Sequence, residues 1–515
     1  MKVEPINIDS PFVVPALAGR LQGGLLPGAD TASVSGKALA AGIARKDAKP
    51  AASALPLSYL LARNPKTGFG RRCLFVLMLL CVLGATANAQ TMKDINPQMQ
   101  PALKIDLQRV SDNGLRIIEG KHVTIYTDVP ASDKIDELPT IFDAAVPQWC
   151  EYFGVDVAKT KPWKMQAFLI RDKTRFEKAG LIPAGLPKFP AGLNQGHEIW
   201  FFAQPDIYYT RHLLLHEGTH AFMQWFGNGV GAPWYAEGMA ELLGLHRWSE
   251  GKLAIHHRVK DASETEGWGR PRLIKDWVAK NKDGKQDKSI RDVLLTPNRA
   301  FGDVENYAWC WAACEFLGQH PLSKDRFAQL QKQVHRSSEK FNLGFQKIFA
   351  DDLDALERDW AWYIRELDYG YSVSRGAMSE LRAGEEGHYD LRSDRSWQYL
   401  KMKVKAGQKF RVTATGRFEV GSSIVNGKTR PWPCEANGIT IDYFRGRPVG
   451  ELHAIITPAD ISPLPRLCSR QPIAVGSGKV ITADLDGQLC FRINESPANM
   501  GDNRGGLKIA IEKVE

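Results

Sequence analysis

The chain lacks a strong charge of one sign. Its 515 residues include 67 Lys and Arg and 58 Asp and Glu, of which ten basic and four acidic residues fall in residues 1–89. Residues 90–515 therefore hold 57 basic and 54 acidic side chains, a net charge of only +3. This excess is too small to indicate a nucleic-acid partner, and none is expected. The hydrophobic fraction of 43% excludes a disordered or collagen-like chain, and the length allows two to four domains.

The apolar run at residues 73–83 is too short to anchor the chain in a membrane. It follows two arginines and precedes Ala-Asn-Ala at residues 87–89, which is the pattern of a signal peptide with a cleavage site before Gln90. We therefore predict a signal peptide over residues 71–89, a secreted or periplasmic protein, and no integral membrane anchor. Residues 1–70, rich in Ala, Gly and Pro, are then an unstructured leader or a mis-assigned start. A buried core strand is the alternative for the apolar run.

Cysteine is scarce beyond the predicted signal peptide. Six cysteines remain there, and none has the CxxC spacing of a strong zinc signal. An even number of cysteines in an exported protein is compatible with disulfides, and we expect Cys434 to pair with Cys468 because both lie in proline-rich, loop-like sequence. Cys310 and Cys314 are four apart in a helical pattern, which favours buried thiols over metal ligands.

The sequence pattern changes from mostly helical to strand-like at about residue 385. Before that position, a helical pattern covers residues 135–153 and a mostly helical region covers residues 211–367. After it, short alternating segments are separated by Gly, Asn, Asp and Pro. We predict an α+β domain over residues 90–385 and an all-β sandwich over residues 386–515. The predicted strands are residues 122–126, 165–170, 198–202, 399–404, 410–415, 439–443, 489–493 and 507–511.

The clearest chemical signal is the pentapeptide HEGTH at residues 216–220. Two histidines four apart on a helix project from one face, so His216 and His220 can both reach one Zn²⁺ while Glu217 lies beside the open position of the ion. Apolar residues on both sides of the pentapeptide, and the Gly-Asn-Gly at residues 227–229, predict a helix with a buried body. A charged Glu217 in such a helix is costly unless something compensates it. The alternative is a buried polar network without a metal.

A third ligand is expected from the segment PWYAEGMAE at residues 233–241. Pro233 suits the first turn of a new helix, which places Glu237 and Glu241 one turn apart on the same face. Glu237 follows His220 by 17 residues. That spacing allows the first helix to end, the chain to turn, and a second helix to return to the metal.

This combination of HExxH with a following WxxEGxAE helix resembles the gluzincin metallopeptidases, which include the thermolysin-like enzymes and the peptidase MA-like families. The resemblance covers roughly residues 120–370 and implies a zincin-like fold. It also implies that His216, His220 and Glu237 are the zinc ligands and that Glu217 is the general base. The implied chemistry is hydrolysis of a peptide bond, in which zinc activates a water molecule and Glu217 takes its proton.

The same resemblance implies roles for three further parts of the chain. Glu241 matches a carboxylate that holds a ligand histidine in its correct tautomer. Residues 198–202 resemble the edge strand that aligns a peptide substrate. Tyr307, at the start of a Trp-rich helical pattern, is our choice for the donor that stabilises the oxyanion, and an ordinary packing role is its alternative. His212 lacks an adjacent carboxylate and is expected at the surface or beside a ligand.

The end of the chain carries a second resemblance. Residues 487–507 are similar to the last hairpin of the calcium-dependent galactophilic lectins of bacteria, and the similarity extends over about residues 395–513, which implies a jelly-roll sandwich. In those lectins hard oxygen ligands hold Ca²⁺, which in turn binds sugar hydroxyls. The matching positions here are Glu495, Asn499, Asp502 and Asn503. Two of these differ from the lectin residues, and the loop that sets sugar specificity has no counterpart, so galactose specificity is not expected. A polar turn without an ion is the alternative.

Two functions from different classes fit these patterns. The first is an exported zinc metallopeptidase, a hydrolase acting on a peptide or protein substrate, with a C-terminal module that binds calcium and polysaccharide. The second is a non-catalytic glycan-binding protein with a structural zinc site. Glu217 favours the enzyme, because a structural site has no use for an unligated carboxylate between two ligand histidines.

Overall fold

A computed structural model describes most of the chain, namely residues 101–281, 287–458 and 471–515. The predicted leader and signal peptide over residues 1–89, and Cys468, lie outside the described residues. Ala89–Glu515 groups into one compact unit. Within the described ranges, no helix combines the length and the apolar composition needed to cross a membrane.

Helices dominate the described chain before residue 377. They are α1 (Leu107–Asp112), α2 (Asp133–Asp136), α3 (Leu138–Phe153), α4 (Lys173–Lys178), α5 (Ile207–Gly227), α6 (Pro233–Gly244), α7 (Arg270–Lys280), α8 (Ile290–Leu294), α9 (Val304–Gln319), α10 (Lys324–Phe327), α11 (Ser338–Phe349), α12 (Leu353–Glu366) and α13 (Val373–Gly376). The helix expected over residues 135–153 is divided into α2 and α3. Pro139, near the start of α3, has no N–H to continue the hydrogen bonds of α2.

The described strands fall into two groups along the chain. The first group is β1 (Arg116–Glu119), β2 (Val123–Thr127), β3 (Met165–Ile170), β4 (Gly192–Gln195), β5 (Glu198–Phe202), β6 (His246–Ser249) and β7 (Lys252–Ile255). The second group is β8 (Ser379–Glu380), β9 (Arg382–Ala383), β10 (Tyr389–Arg392), β11 (Gln398–Val404), β12 (Lys409–Thr415), β13 (Phe418–Val425), β14 (Lys428–Cys434), β15 (Asn437–Phe444), β16 (Arg447–Pro458), β17 (Ile473–Ala474), β18 (Gly478–Thr482), β19 (Gly487–Ile493) and β20 (Gly506–Val514). Each strand predicted from the sequence is present, with ends shifted by up to three residues.

The first sheet has the strand order β1-β2-β3-β5-β4. Strands β2, β3 and β5 run parallel, and β1 and β4 pair antiparallel at the two edges. The expectation that residues 198–202 form an edge strand is therefore wrong. Strand β5 is paired on both sides, and the burial of Ile199, Trp200 and Phe201 is typical of an internal strand. The edge is the short strand β4, whose sequence GLNQ has little apolar character.

The two faces of this sheet belong to different hydrophobic cores. Met165, Ala167 and Leu169 on one face of β3 join the large core formed with α3, α5, α6, α9 and α12. Phe168 and Ile170 on the other face join a smaller core with α1 and α4. Helix α5 packs against both β4 and β5, so the chemistry carried by this helix lies beside the edge of the sheet.

Several sheets make up the described chain beyond residue 378. The two largest have the orders β18-β12-β20-β10-β9 and β15-β16-β19-β11-β8, and β13 and β14 form a separate hairpin. Val412 and Ile509 of the first large sheet share one hydrophobic core with Leu452 and Phe491 of the second. The molecule is thus a mixed α/β protein, with helices around one sheet followed by a C-terminal region of several sheets.

A buried contact joins the helical part to the C-terminal sheets. The guanidinium of Arg492 on β19 donates to Glu366 Oε1 of α12 at 2.6 Å, and both side chains are fully buried. The same guanidinium carbon lies 4.5 Å from the ring centre of Trp397. Trp397 in turn packs against Trp362 of α12, with ring centres 5.4 Å apart. The two parts therefore share buried surface.

The described cysteines are buried and their sulfurs are free. Cys310 and Cys314 lie inside α9, as predicted for buried thiols. The thiol of Cys434 donates to the carbonyl of Glu435 at 3.2 Å. Its expected disulfide partner, Cys468, lies outside the described ranges.

Candidate metal centre

Helix α5 carries the pentapeptide in a fully packed environment. Asp206 caps the start of the helix by accepting a hydrogen bond from the N–H of Tyr208 at 2.6 Å, and Asn228 ends the helix in the left-handed conformation, within the Gly-Asn-Gly predicted to end it. Gly218 faces α3, where a Cβ atom would lie 2.7 Å from atoms of both Phe142 and Trp149. The glycine between Glu217 and Thr219 therefore permits the close approach of α5 to α3.

Helix α6 begins at Pro233, as the sequence predicted, and returns the chain to α5. Its glycine, Gly238, packs directly against α9. A Cβ atom at this position would overlap the carbonyl oxygen of Cys310 and would lie 2.5 Å from Cys314 Sγ. This close approach fixes the height and rotation of α6, and with them the position of Glu237.

The three predicted ligands meet at one point. His216 Nε2 lies 3.2 Å from His220 Nε2, and Glu237 Oε2 lies 3.3 Å from each of these nitrogens. The three atoms thus form a nearly equilateral triangle. A tetrahedral ion with bonds of about 2.0–2.1 Å places its ligand atoms about 3.3 Å apart, so the triangle has the size of one face of a zinc tetrahedron.

The charges at the triangle also suit a cation. Burial alone would raise the pKa of Glu237, but the charges and hydrogen bonds of His220 and His216 outweigh that effect and lower its pKa to about 2. The carboxylate is therefore ionised at neutral pH. Two imidazole nitrogens and one carboxylate oxygen form the donor set of a catalytic zinc site, which keeps a further position open.

Glu217 lies outside the triangle and against the edge of the first sheet. Its carboxylate is hydrogen-bonded to the main chain of Asn194 on β4. Burial is the main cause that raises the pKa of Glu217 to about 8, opposed by His220 and assisted by the charge of Glu237. Gly192 leaves the space that the carboxylate occupies, because a Cβ atom there would overlap Glu217 Oε1.

Glu241 lies behind the first ligand, one helical turn beyond Glu237. Its Oε1 is 3.7 Å from His216 Nδ1, the ring nitrogen that faces away from the triangle. This distance is longer than a hydrogen bond but places the carboxylate directly beside that ring nitrogen. Burial opposes ionisation of Glu241, but Arg270 and His212 outweigh it and hold its pKa well below the usual range.

Three residues around Glu241 were missed or misplaced by the sequence reasoning. His212 is fully buried beside Glu241, with its Nε2 3.4 Å from Glu241 Oε2. The expectation that His212 lies at the surface is therefore wrong. The alternative, that it lies beside a ligand, agrees with the structure. Trp268 and Arg270 donate to the same carboxylate. Little in the sequence predicts these two residues, because the segment GWGRP at residues 267–271 is distant in sequence from Glu241 and matches no motif.

Tyr307 lies close to the centre but is hydrogen-bonded elsewhere. Its ring centre is 6.1 Å from that of His216, and its hydroxyl donates to the carbonyl of Phe301 at 3.2 Å. Burial, with the nearby charge of Glu237 and Glu217, raises the pKa of Tyr307 well above its usual range. The tyrosine is therefore protonated and available as a donor.

The four residues of the expected calcium site are only partly brought together. Asn503 Nδ2 donates to Glu495 Oε2 at 2.6 Å, and the amide oxygen of Asn503 is buried without a partner among the described residues. Burial, assisted by Asp502, raises the pKa of Glu495 to about 7 despite the hydrogen bond from Asn503. Asn499 is exposed, and its N–H bonds to the carbonyl of Ser496.

Comparison of the sequence with models of known protein families and with curated proteins finds no match. The geometry of the site therefore carries the functional proposal.

Proposed function

We propose that this protein is a zinc-dependent metallopeptidase of the gluzincin type. The observation that carries the proposal is the triangle of His216 Nε2, His220 Nε2 and Glu237 Oε2, together with a carboxylate, Glu217, that stands outside it. A structural site has no need of the fourth group, whereas a hydrolase needs a base beside the ion. The helix-and-sheet arrangement of residues 101–376 then represents a zincin-like fold.

A bound zinc ion supplies Lewis-acid chemistry, polarising the substrate carbonyl and making a water molecule more acidic. His216, His220 and Glu237 hold the ion. A cation held beside Glu217 would lower the pKa of its carboxyl below the value of about 8 that burial gives it, and would keep it ionised. Fixed against β4, the carboxylate would then accept a proton from the attacking water and deliver that proton to the leaving amine. Tyr307 stabilises the developing oxyanion with its hydroxyl, after exchanging its present bond to the carbonyl of Phe301.

The test is cleavage of a mixed peptide library by the full-length, zinc-loaded chain, with cleavage sites identified by mass spectrometry. Glu217→Gln is the matched control, because it keeps the shape of the side chain and leaves the three ligands in place. We expect cleavage by the native chain and a loss of several orders of magnitude in this variant. Equal product from both proteins, or no product from either with zinc bound, would exclude the peptidase.

We further propose that the C-terminal region is a jelly-roll module that binds Ca²⁺ at Glu495, Asp502 and Asn503, and polysaccharide through that ion. The supporting observation is the buried, unpartnered amide oxygen of Asn503 beside a buried carboxylate, since Ca²⁺ takes oxygen ligands of this kind. Calorimetric titration of the native chain with Ca²⁺ should give one site that Glu495→Gln abolishes. Heat of binding that is the same in both proteins would contradict the proposal.

A further inference from the structure

A second group of metal-ligating side chains lies behind the zinc triangle. Ligand atoms of His212, His216 and Glu241 all lie within 4.8 Å of one another, and all three side chains are buried. Two histidines and a carboxylate are the same donor set as in the triangle. The group is therefore either a second metal site or a support for the first one.

The contacts of Glu241 decide between these alternatives. Arg270 donates its Nε to Glu241 Oε2 at 3.1 Å and its Nη2 to Glu241 Oε1 at 2.9 Å, the two-point geometry of a strong guanidinium–carboxylate pair. The indole N–H of Trp268 donates to Oε2 at 2.7 Å. Both carboxylate oxygens are thus occupied by donors, and the permanent positive charge of Arg270 beside them opposes the binding of a second cation.

The guanidinium is itself fixed in place. Its Nη1 donates to the carbonyl of Trp268 at 3.2 Å, and its Nη2 lies 3.4 Å from the hydroxyl of Tyr209 on α5. Arg270 is the first residue of α7, and its side chain is buried. The carboxylate of Glu241 is therefore held by groups that come from a different part of the chain than His216.

We propose that Arg270 and Trp268 are positioning residues, which fix Glu241 behind His216 so that Nδ1 of this histidine carries the proton and Nε2 faces the zinc. His212 also lies against the carboxylate of Glu241 and binds no metal. An anion held 3.7 Å from Nδ1 favours the tautomer with the proton on that nitrogen. The inference rests on the proposed zinc site, and it adds residues that act on the ligand rather than on the substrate.

The first test measures zinc affinity, by competition with a chromophoric chelator, in the full-length chain. Trp268→Phe keeps an aromatic ring but removes the indole N–H, and it should weaken zinc binding by about 10-fold or more; Arg270→Met should weaken it by about 10–100-fold. Trp311→Phe is the matched control, because Trp311 packs against Trp268 with ring centres 5.0 Å apart but its own N–H has no partner among the described residues. Arg272→Met, an exposed arginine on the same helix, is the second control. Native affinity in both test variants would overturn the proposal.

The second test asks whether Arg270 acts through Glu241. If Arg270 acts on His216 through Glu241, the double variant Arg270→Met/Glu241→Gln should bind zinc no more weakly than Glu241→Gln alone. If the fold-loss in zinc affinity of the double variant equals the product of the losses in the two single variants, the positioning role is overturned. Co²⁺-loaded Trp268→Phe should show a shifted visible absorption spectrum, which a loss of stability alone would not produce, and an unchanged spectrum counts against the proposal.

Metal stoichiometry tests the remaining alternative. One zinc per chain is expected, and a second tightly bound ion that is lost in His212→Gln would overturn the inference. All of these measurements read metal binding rather than hydrolysis. Failure of the peptidase proposal, seen as intact zinc binding without cleavage, is therefore distinguishable from failure of the positioning role.

Discussion

Gly192 has no side chain at the point where β4 passes Glu217. A Cβ atom there would overlap Glu217 Oε1, so Gly192→Ala should force the carboxylate away from the main chain of Asn194. We expect zinc binding to persist, because the atoms that an added Cβ would meet first all belong to Glu217, and kcat/KM for a peptide to fall by about 100-fold from the misplaced base. Gly302→Ala is the control, since a Cβ atom at that position meets no atom within 4 Å. Equal activity in both variants would show that Glu217 is not fixed by this strand.

Glu237 and Glu241 have the same chemistry and different expected roles. Glu237→Gln removes a charged ligand atom from the triangle and should abolish tight zinc binding. Glu241→Gln leaves the triangle intact and should weaken zinc binding by about 10–100-fold. Zinc titrations of the two variants check this order. The opposite order would make Glu241 the ligand.

Glu198 on β5 should make stability depend on pH. Its Oε1 accepts from the N–H of Leu103 at 2.6 Å, and burial raises its pKa from 4.5 to about 7 against the effect of that bond. Between these values the folded chain keeps a proton that the unfolded chain has lost, so the free energy of unfolding falls as pH rises through this window, by roughly 3 kcal/mol at most. Urea unfolding at pH 5 and pH 8 checks this. The free energy of unfolding of Glu198→Gln, relative to that of the native chain, should be higher at pH 8 than at pH 5. An equal difference in the free energy of unfolding between the variant and the native chain at both pH values would contradict this.

At the scale of elements, the site depends on how closely α6 and α9 approach each other. Gly238→Ala should push the helices apart, because its Cβ atom would overlap the carbonyl of Cys310. We expect a loss of about 1–3 kcal/mol in the free energy of unfolding, together with weaker zinc binding as Glu237 moves. Gly318→Ala, on α9, is the control, since its Cβ atom would make only an ordinary contact with Phe327 at 3.7 Å. Thermal unfolding and zinc titration of both variants check the prediction.

Elements with local signals were predictable. The start of α6 at Pro233 and the end of α5 at Asn228 follow from residues that act on their own backbone. The place of a strand within a sheet does not follow from such local signals, because it is decided by partners that are distant in sequence. Strand β5 was predicted with its correct limits, Glu198–Phe202, yet placed at the edge, since nothing in GLNQ marks β4 as the true edge strand.

The same difference between local signals and distant partners applies to the candidate site. The three ligands and Glu217 were predictable because helical periodicity and one turn bring them together. Trp268 and Arg270 were not, since no spacing rule connects them to Glu241. The sequence analysis expected compensation for a buried carboxylate at Glu217, and nothing in the sequence marked Glu241 as a second buried carboxylate in need of donors.

At the scale of the whole molecule, the contact between Glu366 and Arg492 joins the helical part to the C-terminal sheets. Among the residues that the structure describes, Arg492→Met should leave the buried carboxylate paired with Arg445, whose Nη1 is 3.5 Å away, and cost about 3 kcal/mol of stability. Because Trp362 and Trp397 pack across the same contact, we expect calorimetry to give one unfolding transition, at lower temperature in the variant. Arg411→Met, at an exposed position, is the control. Two separate transitions in the native chain would show that the parts unfold independently.

The positions of His216, His220 and Glu237 along the chain bear on how the chain acquires its structure. All three ligand atoms come from α5 and α6, which are consecutive helices joined by a short loop, so the contacts between them have low contact order. Such helical hairpins form early in folding, because little loop entropy is lost when they close. The strand that fixes Glu217 also precedes them along the chain, whereas Trp268 and Arg270 follow. During synthesis the hairpin of α5 and α6 therefore emerges before Trp268 and Arg270, so the three proposed ligands can come together before the residues that hold Glu241 are present.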